Sequence, residues 1–171
     1  MSLKLRYATK DDAALIADIS RQSFFETFAA DNTKADMDKF MNEQFTKGRL
    51  MLEVNDQNNI FLLAYHHDEV AGYVKLRESK PPHKLQTRNS MEIARLYAMQ
   101  NFIGKGVGKL LMQASIDIGN QKSKEVVWLG VWEKNPRAIQ FYTQWGFQIF
   151  DETHFVLGDD VQKDWLMCKY L

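Results

Sequence analysis

Phe102-Ile103-Gly104-Lys105-Gly106-Val107-Gly108-Lys109 is the stretch whose reading decides the fold. It holds three glycines in five residues, and it falls between an apolar segment, Ser90 to Met99, and a segment with helical spacing. That spacing begins at about Val107 and places Val107, Leu110, Leu111, Ala114 and Ile118 on one face. The unit is a strand, a tight turn and a helix. Glycine lets the backbone turn sharply and lets a ligand approach without Cβ obstruction. The first N–H groups of a helix have no intrahelical acceptor, and the helix dipole favours an anion there. Lys105 and Lys109 add positive charge. Residue types of this kind suit a pyrophosphate, although a tight turn alone would also account for the glycines.

Spacing narrows the ligand. A P-loop requires G-x-x-x-x-G-K-[ST], but Ile103 stands at the first glycine position and Leu110 where Ser or Thr is needed. The dinucleotide pattern G-x-G-x-x-G fails as well, because Gly104 and Gly106 lead to Lys109, and Gly106 and Gly108 lead to Leu111.

Outward from the turn, Val126 to Trp132 is apolar apart from Gly130 and reads as a buried central strand. Pro136 opens the next helix, which carries Ala138, Phe141, Tyr142 and Trp145 and ends at Gly146. Phe147 to Phe150 and Trp165 to Leu171 close the chain as strands. Upstream, Leu3 to Tyr7 alternates as a strand. Thr9 with Asp12 resembles a capping box ahead of the face Ala13, Ile16, Ala17, Ser20, Phe24 and Phe28. Thr33 with Asp36 opens a second helix through Met37, Phe40, Met41 and Phe45, with Gly48 as its expected stop. Ile60 to Tyr65 and Val70 to Leu76 form a hairpin. The predicted order is β-α-α-β-β-β-α-β-α-β-β, a mixed α+β sheet with helices on both faces.

The chain has 171 residues, 45% of them apolar, which suits one domain over 1–171. Lys plus Arg and Asp plus Glu number 22 each, and a balanced charge argues against a general nucleic-acid partner. No apolar run approaches the roughly 20 residues that span a membrane. The single cysteine, Cys168, excludes an internal disulfide, reads as an inert packed residue, and fits a cytoplasmic setting. The four histidines show no metal-ligand spacing, so no metal is expected, and His66 and His67 should point to opposite faces of a strand.

Two segments resemble the GNAT acetyltransferases. Ile103 to Gly108 is similar to their motif A, [QR]-x-x-G-x-[GA], with Gly106 and Gly108 on the glycine positions and Ile103 departing from Gln or Arg. Asn135-Pro136-Arg137-Ala138-Ile139-Gln140-Phe141-Tyr142-Thr143-Gln144-Trp145-Gly146-Phe147 resembles N-x-x-A-x-x-F-Y-x-x-x-G-F at every fixed position. A closer resemblance, carried by Trp128 to Asn135, Glu92 to Tyr97, Phe155 to Asp160, Asp164 and Met167, is to the bacterial Pai-type spermidine/spermine acetyltransferases.

The resemblance implies acetyl transfer from acetyl-CoA to a primary amine, with a small polyamine as the first expected acceptor. Protein N-termini, lysines or amino acids are the alternative acceptors. A non-catalytic acyl-CoA sensor is the alternative of another class. It further implies that the backbone of Leu96, Tyr97 and Ala98 holds the pantetheine arm. Ile103, Gly104, Lys105, Gly106, Val107, Gly108 and Lys109 would hold the pyrophosphate. Asn135 would contact the cofactor or cap its helix, and Tyr142 would face the sulfur as acid or hydrogen-bond donor. Glu92 is the candidate base, acting through water, with an ion pair to Arg95 or another cation as the competing reading and deprotonation by solvent as a third. Phe24, Phe25, Glu26 and Phe28, together with Trp132 and Glu133, would line the acceptor cleft, with some of the phenylalanines in the core. Dimers are common in the family, and Phe147, Phe150, Phe155 and Trp165 are the residues expected at a homodimer interface.

Overall fold

A computed structural model describes residues 1–171. In chain order its elements are β1 (Lys4–Tyr7), α1 (Ala13–Phe28), α2 (Lys34–Glu43), α3 (Lys47–Glu53), β2 (Asn59–His66), β3 (Glu69–Arg77), β4 (Ser90–Ala98), α4 (Val107–Gln121), β5 (Val126–Trp132), α5 (Pro136–Gln144), β6 (Gln148–Leu157) and β7 (Asp160–Tyr170). Seven strands form one sheet in the order β1-β2-β3-β4-β5-β7-β6. Every pairing is antiparallel except β4 with β5, which are joined through α4.

The turn chemistry explains the helix starts. Thr9 and Asp12 form a reciprocal capping box that leads into α1. The Thr33 side chain accepts from the Asp36 amide at α2, and the Thr46 side chain accepts from the Arg49 amide at α3. Thr46 is the signal the sequence reading passed over. It starts a separate third helix, so Gly48 lies in the first turn of α3 and does not terminate α2, which ends at Glu43. The closing hairpin is also longer than expected. It turns at Gly158, whose φ is +64°, and a Cβ there would meet the Asp36 backbone at 2.4 Å.

The main core gathers α4, Ile16 and Ile19 of α1, Tyr142 of α5 and the inner residues of β2 to β5. α4 covers one face of the sheet: a Cβ on Gly72 of β3 would lie 2.6 Å from Val107. The other face carries α1 and α3, with Phe28 against Trp132 at 5.6 Å between ring centres, and Glu53 against Lys75 and Arg95.

Two expectations are corrected, and the packed reading of Cys168 holds. Phe147 is buried and cannot reach an interface, whereas Phe150, Phe155 and Trp165 are half-buried, Phe155 against Phe40 and the other two against core residues. The exposed apolar side chains of that hairpin are Ile149, Val156 and Val161. His67 does not continue β2. It occupies the hairpin turn with φ of 54°, and its ring lies 4.3 Å from that of His66 instead of on the opposite face. Cys168 is buried on β7, and burial pushes its thiol up.

Candidate active site

Strands β4 and β5 pair only through Ser90↔Val126, Met91↔Val127 and Glu92↔Trp128. Beyond Glu92 they part. β4 stays hydrogen-bonded to β3 through Ala98, and β5 stays paired with β7 through Trp132. The edges of β4 and β5 that face each other across the gap, including Leu96, Tyr97 and Ala98, have no strand between them. Backbone groups left without partners are costly unless something else satisfies them, so this wedge is shaped for an extended ligand that can hydrogen-bond to a strand edge.

The wedge opens toward the start of α4. Gly104 and Gly106 take left-handed φ values of 77° and 86°, which a side chain would resist, and a Cβ at either would meet nothing within 4 Å. The backbone of the turn therefore faces open space. Gly106 caps α4 with no side-chain bond, and the amides of Gly104, Gly106, Val107, Gly108 and Lys109 find no acceptor in the chain. No acidic side chain stands in the first turn of α4, while Lys105 and Lys109 are exposed and free of ion pairs. Five free amides at a helix N-terminus with two unpaired cations make a fitting cradle for a pyrophosphate. Ile103 is 41% exposed and offers only backbone. Gly108 faces Phe141 of α5 at 3.5 Å, so it also brings the two helices together.

Asn135 is the N-cap of α5: its side-chain oxygen accepts from the Ala138 amide at 3.2 Å. The cap uses only Oδ1 and leaves the Nδ2 hydrogens available for a second contact. Tyr142 is buried among the Phe141 and Phe147 rings, and its hydroxyl makes no hydrogen bond within the chain. Burial alone pushes its phenol up to about 12, so it stays protonated throughout the neutral range.

Glu92 does not stand free. Its two oxygens take Arg77 Nε at 2.8 Å and Nη2 at 3.0 Å, a bidentate pair between β4 and β3. The partner is Arg77, whereas Arg95 turns to Glu53. A buried carboxylate engaged in this way fastens the two strands, and the competing structural reading of Glu92 is the one its geometry favours. Lys75 also reaches Glu53, at 3.2 Å. Burial, with Arg95 nearby as a second cation, lowers Lys75 to about 8.

On the α1 side of the sheet, Phe24 is buried against Phe28, Phe40 and Phe45. Phe25 is 51% exposed on α1, and Phe28 stands beside Trp132, 5.6 Å between ring centres. Glu26 lines a cavity of about 440 Å³ between α1 and the end of β4, together with Gln22, Glu69, Gln100, Asn101 and Phe102. That cavity holds two carboxylates and no basic side chain. Glu133 is exposed and pairs with Lys163 at 3.5 Å.

Sequence reasoning gave Asp164 no chemical role. It lies on β7 opposite Trp132 in register, and its Oδ2 is 3.6 Å from where a Cβ on Gly130 would stand. No hydrogen bond or ion pair holds it within the chain. Burial raises its carboxyl to about 6. The available signal was an acid, Asp164, placed directly ahead of the apolar run Trp165 to Cys168.

Residues 21–147 match the model of the acetyltransferase (GNAT) family. The chain is 38% identical to an uncharacterised N-acetyltransferase of Lactobacillus delbrueckii subsp. lactis, over 98% of this chain and 96% of that one. It is 25% identical to the spermidine N(1)-acetyltransferase of Thermoplasma acidophilum, over 88% and 91% of the two chains. The crystal structure of a PaiA N-acetyltransferase from Thermoplasma acidophilum, in complex with coenzyme A, superposes with a TM-score of 0.80 at 23% identity, covering all of both chains.

Proposed function

Because the chain belongs to the acetyltransferase (GNAT) family, we propose that it works as one domain that transfers the acetyl group of acetyl-CoA to a primary amine of a small polyamine such as spermidine or spermine. The observation that carries this reading is the parting of β4 and β5 beside an uncapped, glycine-lined helix start. The pyrophosphate of acetyl-CoA fits the free amides from Gly104 to Lys109, and its pantetheine arm fits the strand edge at Leu96, Tyr97 and Ala98. Asn135 Nδ2 is free to contact the same arm. The thioester supplies an activated carbonyl carbon and a thiolate leaving group.

Tyr142 is assigned to the thiolate. A phenol near 12 is a weaker acid than a thiol near 8.5, so full proton transfer from Tyr142 would run uphill by about 5 kcal/mol. Its role is therefore that of a hydrogen-bond donor to the developing negative charge, and the proton that ends on sulfur comes from the attacking amine.

Two observations support a polyamine acceptor. The named Thermoplasma relative acts on spermidine. The cavity beside the end of β4 presents Glu26 and Glu69 with no basic side chain, an arrangement that attracts a second ammonium group of a long cation. Trp132 and Phe28 form an apolar wall on the same face.

The test is release of CoA thiol from acetyl-CoA against a panel of spermidine, spermine, amino acids and peptides with free N-termini or lysines, with the acetylated product identified by mass spectrometry. Acetylated spermidine or spermine as the fastest-formed product is expected. Turnover confined to peptides or amino acids would keep the chemistry and overturn the acceptor. Binding of acetyl-CoA with no turnover on any amine would favour a sensor.

A further inference from the structure

Resting on the reading above, we infer that Asp164 is the carboxylate that receives the acceptor's ammonium group and takes its first proton. Three geometric facts converge on it. Trp128, Gly130 and Trp132 share the α1 face of β5, and in this otherwise buried strand Gly130 alone is exposed, so the sheet floor is open at one point. Asp164 reaches over that point from the next strand, its Oδ2 3.6 Å from the position of a Gly130 Cβ. Trp132 stands opposite it in register, Phe28 packs on Trp132, and the β4 edge at Tyr97 bounds the gap beyond. An amine on Gly130 would thus lie beside the carboxylate and at the wedge where the thioester carbonyl is placed.

The carboxylate is uncommitted. Lys163, next to it on β7, points to the opposite face, where it lies 3.9 Å above the Trp165 ring and pairs with Glu133 and Glu152. Thr153 of β6 faces Asp164 in register and carries no charge. Tyr97 and Tyr142 are the titratable groups toward β4 and α5, and burial keeps both protonated at neutral pH. No cation faces Asp164. Burial without a partner is unfavourable for an ionised acid, and an incoming ammonium removes that penalty. Desolvation raises the carboxyl and lowers the amine, which narrows but does not close the gap between a carboxyl at about 6 and an ordinary alkylamine at about 10.4, so this proton transfer is an unfavourable pre-equilibrium that C–N bond formation draws forward.

The step balances. One ammonium N–H breaks and its proton moves to an Asp164 oxygen. The freed lone pair forms a C–N bond to the thioester carbonyl carbon, and the C–S bond breaks. The second proton shed by nitrogen reaches the thiolate beside Tyr142, and Asp164 returns its proton to water. The products are the N-acetylamine, CoA thiol and one proton.

The experiment is the pH profile of kcat/KM for spermidine at saturating acetyl-CoA, in wild type, Asp164→Asn and Asp164→Glu. Wild type should lose activity below about pH 6, where Asp164 becomes protonated. Asp164→Asn should fall about 10²–10⁴-fold at pH 7 and lose that acidic limb, with KM for acetyl-CoA unchanged. Asp164→Glu should keep the limb and part of the rate. Unfolding by urea gives a second readout. Ionised and unpaired in the free enzyme, Asp164 costs stability above about pH 6, so Asp164→Asn should be the more stable protein at pH 7, with the gap closing toward pH 4. Should another amine be the acceptor, the same profile with that amine decides: loss of its acidic limb in Asp164→Asn upholds the assignment while the polyamine reading falls. A wild-type profile in Asp164→Asn, with any acceptor, overturns the Asp164 assignment alone. Absence of turnover with every amine overturns it together with the parent reading.

Discussion

The two halves of β4 treat their polar groups in opposite ways. In the first half the charged side chains are paired: Glu92 is clasped by Arg77, and Glu53 holds both Lys75 and Arg95 beneath α1 and α3, though Arg95 Nε has no partner. In the second half almost nothing is: the strand edge from Leu96 to Ala98 has lost β5, α4 starts without a cap, and Tyr142 and Asp164 have no partners in the chain. The contrast extends to the helix starts, since Thr9, Thr33, Thr46 and Asn135 each supply a capping oxygen and Gly106 supplies none. Apart from Ser20 Oγ, Asn59 Oδ1, Tyr73 OH and Arg95 Nε, which are buried without partners, the polar groups on the fastened side are satisfied internally, and those at the wedge are left open where a ligand is to satisfy them.

The contrast can be broken from either side. On the fastened side, Glu53→Gln leaves Lys75 and Arg95 without their counter-charge, and urea unfolding should show a loss of about 3–5 kcal/mol. On the open side, Tyr142→Phe should lower kcat by about 10²–10³-fold, roughly 3–4 kcal/mol of transition-state stabilisation, while the unfolding midpoint stays in place. Gly106→Ala forces a side chain into a left-handed conformation at a cost of about 1–2 kcal/mol, and it should raise KM for acetyl-CoA more than it lowers kcat. Thr33→Ala removes an ordinary cap, costing about 1 kcal/mol in unfolding and nothing in KM.

The smallest effect sharpens the picture of Lys75. Its folded value near 8 lies below the ordinary 10.5, so between these values the unfolded chain binds more protons than the folded one. Stability should therefore rise with pH across that window. Lys75→Met should abolish that slope and leave stability at pH 7 unchanged or slightly higher, because Arg95 still pairs with Glu53. Urea unfolding at pH 7 and at pH 10 checks both.

What could be read from the residues follows the range of the physics. The glycine turn, the apolar β5 and the Asn135–Gly146 helix are local patterns whose chemistry lies in adjacent residues, and all three stand where they were expected. Thr46 is an equally local signal that the reading of Gly48 as a stop left out; with no positive φ, Gly48 is an ordinary helical residue. The pairing of Glu92 with Arg77 depends on the register of β3 against β4, including the shift at Lys75/Leu76, and no spacing within either strand encodes it. Asp164 escaped notice for the same reason. Its significance comes from Gly130, 34 positions earlier and one strand away.

The most direct test of the open half is to follow the backbone amides by NMR while acetyl-CoA is added to isotope-labelled protein. The account predicts large shifts and slowed exchange for Gly104, Gly106, Val107, Gly108 and Lys109, accompanied by Leu96 to Ala98, with little change at the capped starts after Thr9, Thr33 and Thr46. Binding that leaves the Gly104–Lys109 amides unmoved, or that moves a capped helix start in their place, would contradict it.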